Sequence, residues 1–261
     1  GPYTLWGPIR DRAVLAYLDR VATDHARLYS ERYGLEIETP IAGDVKYFSG
    51  RAAFVVYARD QGDNQIDFHG NGYFKSPSLV VMHGGRGDRR QIAATLVHEL
   101  THLLSWHLLG GWRRGGTQMA PWLEEGLADD MAFASSDRKG NLKAEPLGPS
   151  NLRYGERMGA KLFKLERQIE AGIVPSVAQL LDMDHQDFMG GPREIHYTLS
   201  ALWVRYLLSD PDLAERFRAF LPLVARGAAA DSTNLVSHLG RDWSQLERDF
   251  RAWRRRQQLR F

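Results

Sequence analysis

Residues 97–102 read Val-His-Glu-Leu-Thr-His, and residues 121–129 read Pro-Trp-Leu-Glu-Glu-Gly-Leu-Ala-Asp. On an α-helix, side chains four positions apart share one face, about one turn apart, so His98 and His102 can bring both imidazoles to one zinc ion. Glu99 lies about 100° around the helix from His98, off such an ion but near a water bound to it. The flanking sequence predicts that helix over 89–109. Asp88 stands at its cap and Gln91 at the capping-box position, and Ala93, Val97, Leu100, Leu104 and Leu108 form an apolar stripe. The plainer reading of the same residues is a pair of surface histidines on an amphipathic helix.

A catalytic zinc takes three protein ligands and keeps a fourth position for water. The chain has no cysteine, so thiolate ligands, disulfides and cysteine nucleophiles are excluded together. The longer pattern His-Glu-x-x-His-x-x-Gly-x-x-His is not met, because Ser105 holds the glycine position and Leu108 that of the last histidine. The remaining ligand must come from elsewhere, and a carboxylate on a second helix is the natural source. Pro121 suits the first turn of such a helix, which places Glu125 and Asp129 on one face. Glu124 points off that face and is a weaker candidate; a substrate amine is another use for it. Read blandly, Glu124, Glu125, Asp129 and Asp130 are a solvated helix face.

These two stretches resemble the peptidase MA-like proteins among the gluzincin zinc metallopeptidases. Residues 97–102 match that group's metal helix, and Trp122-Leu123-Glu124-Glu125-Gly126-Leu127-Ala128 matches its Trp-Leu-x-Glu-Gly-x-Ala block. The helix starting near Tyr197 and the closing stretch Leu239-Gly240, Asp242-Trp243, Leu246-Glu247 are looser likenesses, and the resemblance spans roughly residues 90–258. It implies a zincin-like fold with zinc held by His98, His102 and Glu125. It also implies that Asp129 hydrogen-bonds the far nitrogen of a ligand histidine, His98 first, which fixes the imidazole's tautomer. The interval from His102 to Glu125 is longer than in familiar gluzincins, with 110–116 as the extra loop. The chain lacks the Gly-x-Met-x-Asn strand of the large aminopeptidases.

The expected chemistry is hydrolysis of a peptide or protein substrate. Zinc lowers the pKa of its water and polarises the scissile carbonyl, and Glu99 acts as general base. A donor to the oxyanion is needed, for which Tyr197 is the candidate and His196 the substitute; Tyr197 read otherwise is core packing. Competing readings are a zinc hydrolase acting on a non-peptide amide, and an inactive zincin-like interaction module. His69 and His83 are minor metal candidates, and His107 receives no role.

The formal net charge of +2 gives no cause to expect a nucleic-acid partner. The basic tail, 251–260, reads as a partly solvated terminal helix. No apolar run approaches the ~18 residues of a membrane span. Gly1-Pro2 reads as what a cleaved tag leaves, so a removed export signal, and with it an extracytoplasmic location, stays open. Strands are expected at 35–38, 45–48, 72–75 and 79–83. Helices are expected at 10–34, at 50–60 with Ser49 as cap, and at 89–109, 121–134, 156–171, 176–182, 194–209, 212–225, 233–239 and 242–258. The whole is an α+β fold in one catalytic domain: a mixed lobe over 1–87, metal-site helices over 88–134 and a helical lobe over 150–261, with the metal site between lobes.

Overall fold

The computed structural model describes residues 2–63, 71–85, 88–110, 119–143, 163 and 165–258. It is an α+β fold with a small mixed sheet and a mainly helical remainder. The sheet region comprises β1 (Tyr3–Trp6), a short 3-10 turn (Ile9–Asp11), α1 (Arg12–Tyr33), β2 (Gly43–Phe48), α2 (Arg51–Asp60), β3 (Gly72–Lys75) and β4 (Leu79–His83). Strand order is β1-β2-β4-β3. The first three of these run parallel, which requires crossovers, and α1 lies between β1 and β2 in the chain. Strand β3 pairs antiparallel with β4, Phe74 opposite Val80, and is an edge strand. From Val80 onward every residue of β4 is buried, as expected of a strand covered on both faces. Val80 and Met82 join the main core, while the His83 ring meets Phe54 of α2 at 4.9 Å.

The helical part comprises α3 (Arg89–Leu108), α4 (Pro121–Ala132), a two-strand ladder of β5 (Ser135–Ser136) and β6 (Leu142–Lys143), then α5 (Val177–Leu181), α6 (His185–Gly190), α7 (Arg193–Leu207), α8 (Pro211–Ala225), α9 (Ser232–Leu239) and α10 (Trp243–Gln258). Helix α3 is capped as expected: Asp88 Oδ1 accepts from the backbone N–H groups of Arg90 and Gln91, 3.0 Å each. The expected stripe is buried apart from half-buried Leu108, and Ile92, Leu96 and Leu103 are buried as well, so α3 is covered by α1, the sheet and α4. Buried polar contacts fix α1 on α3, where His25 Nε2 meets Thr101 Oγ1 at 3.0 Å and Tyr29 OH meets Ser105 Oγ at 2.9 Å. One hydrophobic core continues from Tyr3 and Val45 in the sheet to Phe250 and Trp253 in α10. In α10 Arg254 is buried too, 3.5 Å from Glu166, while Arg251, Arg255 and Arg256 are exposed. No described helix is long and apolar enough to cross a membrane.

Helix α4 lies between α3 and α7. Gly126 permits the second contact: a Cβ there would sit 3.0 Å from both Ser200 O and Val204 Cγ2. On the far side of α4, Asp130 is buried and gathers three partners. Arg32 of α1 grips both its carboxylate oxygens, Arg205 Nε of α7 donates to Oδ1 at 2.8 Å, and Tyr33 OH donates to Oδ2 at 2.8 Å.

Some sequence expectations need correction. Residues 35–38 form no strand; the chain leaves α1 through Gly34 at φ 66°, and Ser30 Oγ donates to Leu35 O, which ties this segment to the helix end. Ser49 does not cap α2. Gly50 does so without a side chain, and the Ser49 hydroxyl donates to Asp11 instead. Strand β1, the β5–β6 ladder and helix α6 were not foreseen. Of the helix expected at 156–171 the stretch 165–170 is described and helical. Most of the loop at 110–116 and His69 lie outside the described residues.

The two guanidiniums hold the Asp130 carboxyl at about 2 against its ordinary 3.8, overcoming burial, which acts the other way. A carboxylate depressed in the folded state stabilises the fold above its unfolded pKa, and that stability is lost as pH falls through the folded value. Asp130→Asn leaves two arginines around a neutral amide and should cost about 3–5 kcal/mol at neutral pH. Urea unfolding should show the difference shrinking as pH drops from about 4 toward 2; a gap independent of pH would contradict the ion-pair assignment.

Candidate metal centre

Helix α3 presents His98 and His102 from adjacent turns toward α4, with their Nε2 atoms 3.1 Å apart. Helix α4 brings Glu125 to the same point, where its Oε2 lies 3.6 Å from each Nε2. These are the described residues whose side chains form a group able to hold a metal ion. Tetrahedral zinc with bonds near 2.0–2.1 Å spaces its ligand atoms about 3.3 Å apart, and the observed separations bracket that value. Glu125 Oε2 is buried with no hydrogen-bond partner, an expensive arrangement for a carboxylate unless a cation is meant to face it. The donor set, two imidazoles and a carboxylate, is the chemistry zinc accepts.

The surrounding groups are specific as well. Asp129, one turn beyond Glu125, lies 3.0 Å from His98 Nδ1, so the ring donates N–H there and turns Nε2 inward. Tyr197 of α7 donates its hydroxyl to Glu125 Oε1 at 2.8 Å, with Met189 Sδ 3.7 Å away, which leaves Oε2 for the cluster. Tyr197 therefore contacts the carboxylate of the cluster, a place its apolar neighbours in sequence gave no sign of. His196 is turned away: its Nδ1 is 2.8 Å from Phe188 O, and the ring is buried between α6 and α7. Glu124 takes a place the sequence did not indicate, with Oε1 3.6 Å from His102 Nδ1. His83 is buried against Phe54 and outside the cluster, and His107 is exposed, 2.8 Å from Pro77 O.

Glu99 lies within electrostatic reach of His98, and its carboxylate accepts the backbone N–H of Phe74 in β3. Gly72 makes room for it, since a Cβ there would come within 3.1 Å of Glu99 Cγ and of Val81 O. The edge strand and Glu99 thus touch directly. A separate open groove of about 510 Å3, lined by Trp6, Tyr47, Phe48 and Tyr57, lies over β1 and β2 and includes no residue of the cluster.

Burial raises the carboxyl groups of Glu99 and Glu124 to about 7 and that of Glu125 to about 8, each opposed by His98. For His98 burial alone would lower the pKa. The hydrogen bond to Asp129 and the charges of Glu99, Asp129 and Glu125 reverse this and hold it well above the usual histidine range. His102 is pushed well below that range, by burial first and then by His98. The two rings are thus driven apart, His98 toward the imidazolium and His102 toward the neutral ring. In the metal-free protein near neutral pH, ring-nitrogen NMR should find His98 as imidazolium and His102 neutral. Asp129→Asn should lower the His98 pKa; a normal titration of both rings would refute the arrangement. No protein-family model matches the chain and no curated protein matches it, so the case for this centre stands on its geometry and chemistry.

Proposed function

We propose that the chain is a zinc-dependent peptidase of gluzincin type, akin to the peptidase MA-like proteins, built on a zincin-like fold. The observation that carries this reading is the triangle of His98 Nε2, His102 Nε2 and Glu125 Oε2, with sides of 3.1, 3.6 and 3.6 Å and an unpartnered buried carboxylate oxygen at one corner. His98, His102 and Glu125 would hold the ion, and Asp129 and Tyr197 set the orientation of two of these ligands. When bound, zinc supplies Lewis acidity and a water acidic enough to be deprotonated near neutral pH.

The chain's own residues account for the rest. Glu99, with a carboxyl raised to about 7 by burial, is poised to take a proton at neutral pH and return it to a leaving amine. The Phe74 N–H aims that carboxylate without neutralising it. Peptide as substrate is favoured by β3: among the described residues no strand pairs with its outer side, and such an edge can accept an extended chain beside the base. The Tyr197 hydroxyl, engaged with Glu125, becomes an oxyanion donor only by turning from that carboxylate.

Purified protein should bind about one equivalent of zinc, and Glu99→Gln should retain it while peptide-library cleavage falls by about 10²- to 10⁴-fold. Undiminished cleavage by that variant would remove Glu99 as base, and hydrolysis confined to non-peptide amides would redirect the substrate assignment. Burial raises the Glu125 carboxyl to about 8, and the surrounding carboxylates raise His98 further, so the metal must displace protons and zinc affinity should rise with pH through about 8 and on toward about 10. Calorimetry in buffers of different ionisation enthalpy should register that proton release, and its absence would contradict the protonation pattern.

A further inference from the structure

We propose that Glu124 is the positioning group for His102, so that each imidazole of the centre has its own carboxylate; the inference rests on the metal reading above. His102 Nδ1 is buried and has no hydrogen-bond partner, and Glu124 Oε1 lies 3.6 Å from it. An imidazole that gives Nε2 to a cation carries its proton on Nδ1, and a buried N–H needs an acceptor. Among the described residues Glu124 is the carboxylate within 4 Å of that nitrogen. A small change of side-chain torsion brings it to the ~2.8 Å of a charge-assisted hydrogen bond. The Glu124 side chain keeps 29% of its exposure, so it has room for that movement.

Helix geometry explains the division of labour. Glu124 and Asp129 are five positions apart, about 140° around α4, so they flank Glu125 and address different rings. Asp129 faces His98 Nδ1, and Glu124 faces His102 Nδ1. Glu124 therefore approaches the second imidazole from the side remote from its Nε2, behind the ring with respect to the ion. One short helix supplies a ligand and the orienting partners of both other ligands. The adjacent Glu-Glu pair is then a functional unit rather than a ligand beside a solvated spare.

The test is zinc affinity by competition with a chromophoric chelator, read together with the His102 ring N–H resonance in the zinc-loaded protein. Glu124→Gln keeps an acceptor oxygen and should bind zinc within a few-fold of the parent, with the Nδ1–H signal retained. Glu124→Ala should bind about 10- to 100-fold more weakly and lose that signal to exchange. Should the alanine variant fold poorly, Glu124→Leu preserves side-chain volume and should show the same loss. Parent-like affinity and an intact signal in the alanine or leucine variant would overturn the role of Glu124 and leave the metal centre standing. A parent protein that binds no zinc would overturn both.

Discussion

The site depends on how closely one helix can lie between two others. Helix α4 carries Glu124, Glu125 and Asp129, and these meet the imidazoles of α3 only if α4 stays at a fixed height and rotation. Gly126 lets α7 approach to backbone contact on one side. On another, Asp130 is locked by arginines from α1 and α7. A buried charge held by one buried and one partly buried guanidinium tolerates little displacement, since moving it strands a guanidinium. Residues 129 and 130 thus divide the work, the first turning the His98 ring and the second holding the helix that carries it.

The two sides of α4 differ in charge balance. At Asp130 the protein supplies its own cations, and the carboxyl stays ionised. Around His98 and His102 it supplies four acidic side chains, Glu99, Glu124, Glu125 and Asp129. Burial then pushes protons onto several of these groups, because like charges crowded out of water do not all ionise. A divalent cation relieves that crowding more completely than protons do. The crowding of acidic groups and the 3.1–3.6 Å triangle are two consequences of one arrangement, and a divalent cation suits both.

What was legible in the sequence was whatever local spacing encodes. The i, i+4 pair at His98 and His102, the Asp88 cap and the phase of Glu125 and Asp129 all follow from helical periodicity, and α3 and α4 have those bounds within a few residues. Strands β2, β3 and β4 stood out through alternation or apolar runs. Residues 35–38 alternate equally well yet form no strand, because pairing is a long-range property and the α1 cap captures this segment. Strand β1 is only four residues long, and its pairing with Gly43–Lys46 across α1 leaves no local mark. The partners of Asp130 lie on helices far apart in sequence, so that lock was invisible. For the same reason Tyr197 could be picked out as a candidate while its contact with Glu125 could not, and Glu124 was judged by its helical phase relative to Asp129 when the ring it faces belongs to another helix.

Anomalous diffraction at the zinc edge, on crystals grown with stoichiometric zinc, tests the central claim most directly. One peak bonded to His98 Nε2, His102 Nε2 and Glu125 at about 2.0–2.2 Å is expected, with a fourth position left to solvent. Zinc bound elsewhere on the chain, or no peak between α3 and α4, would contradict the metal centre and the hydrolytic chemistry built on it.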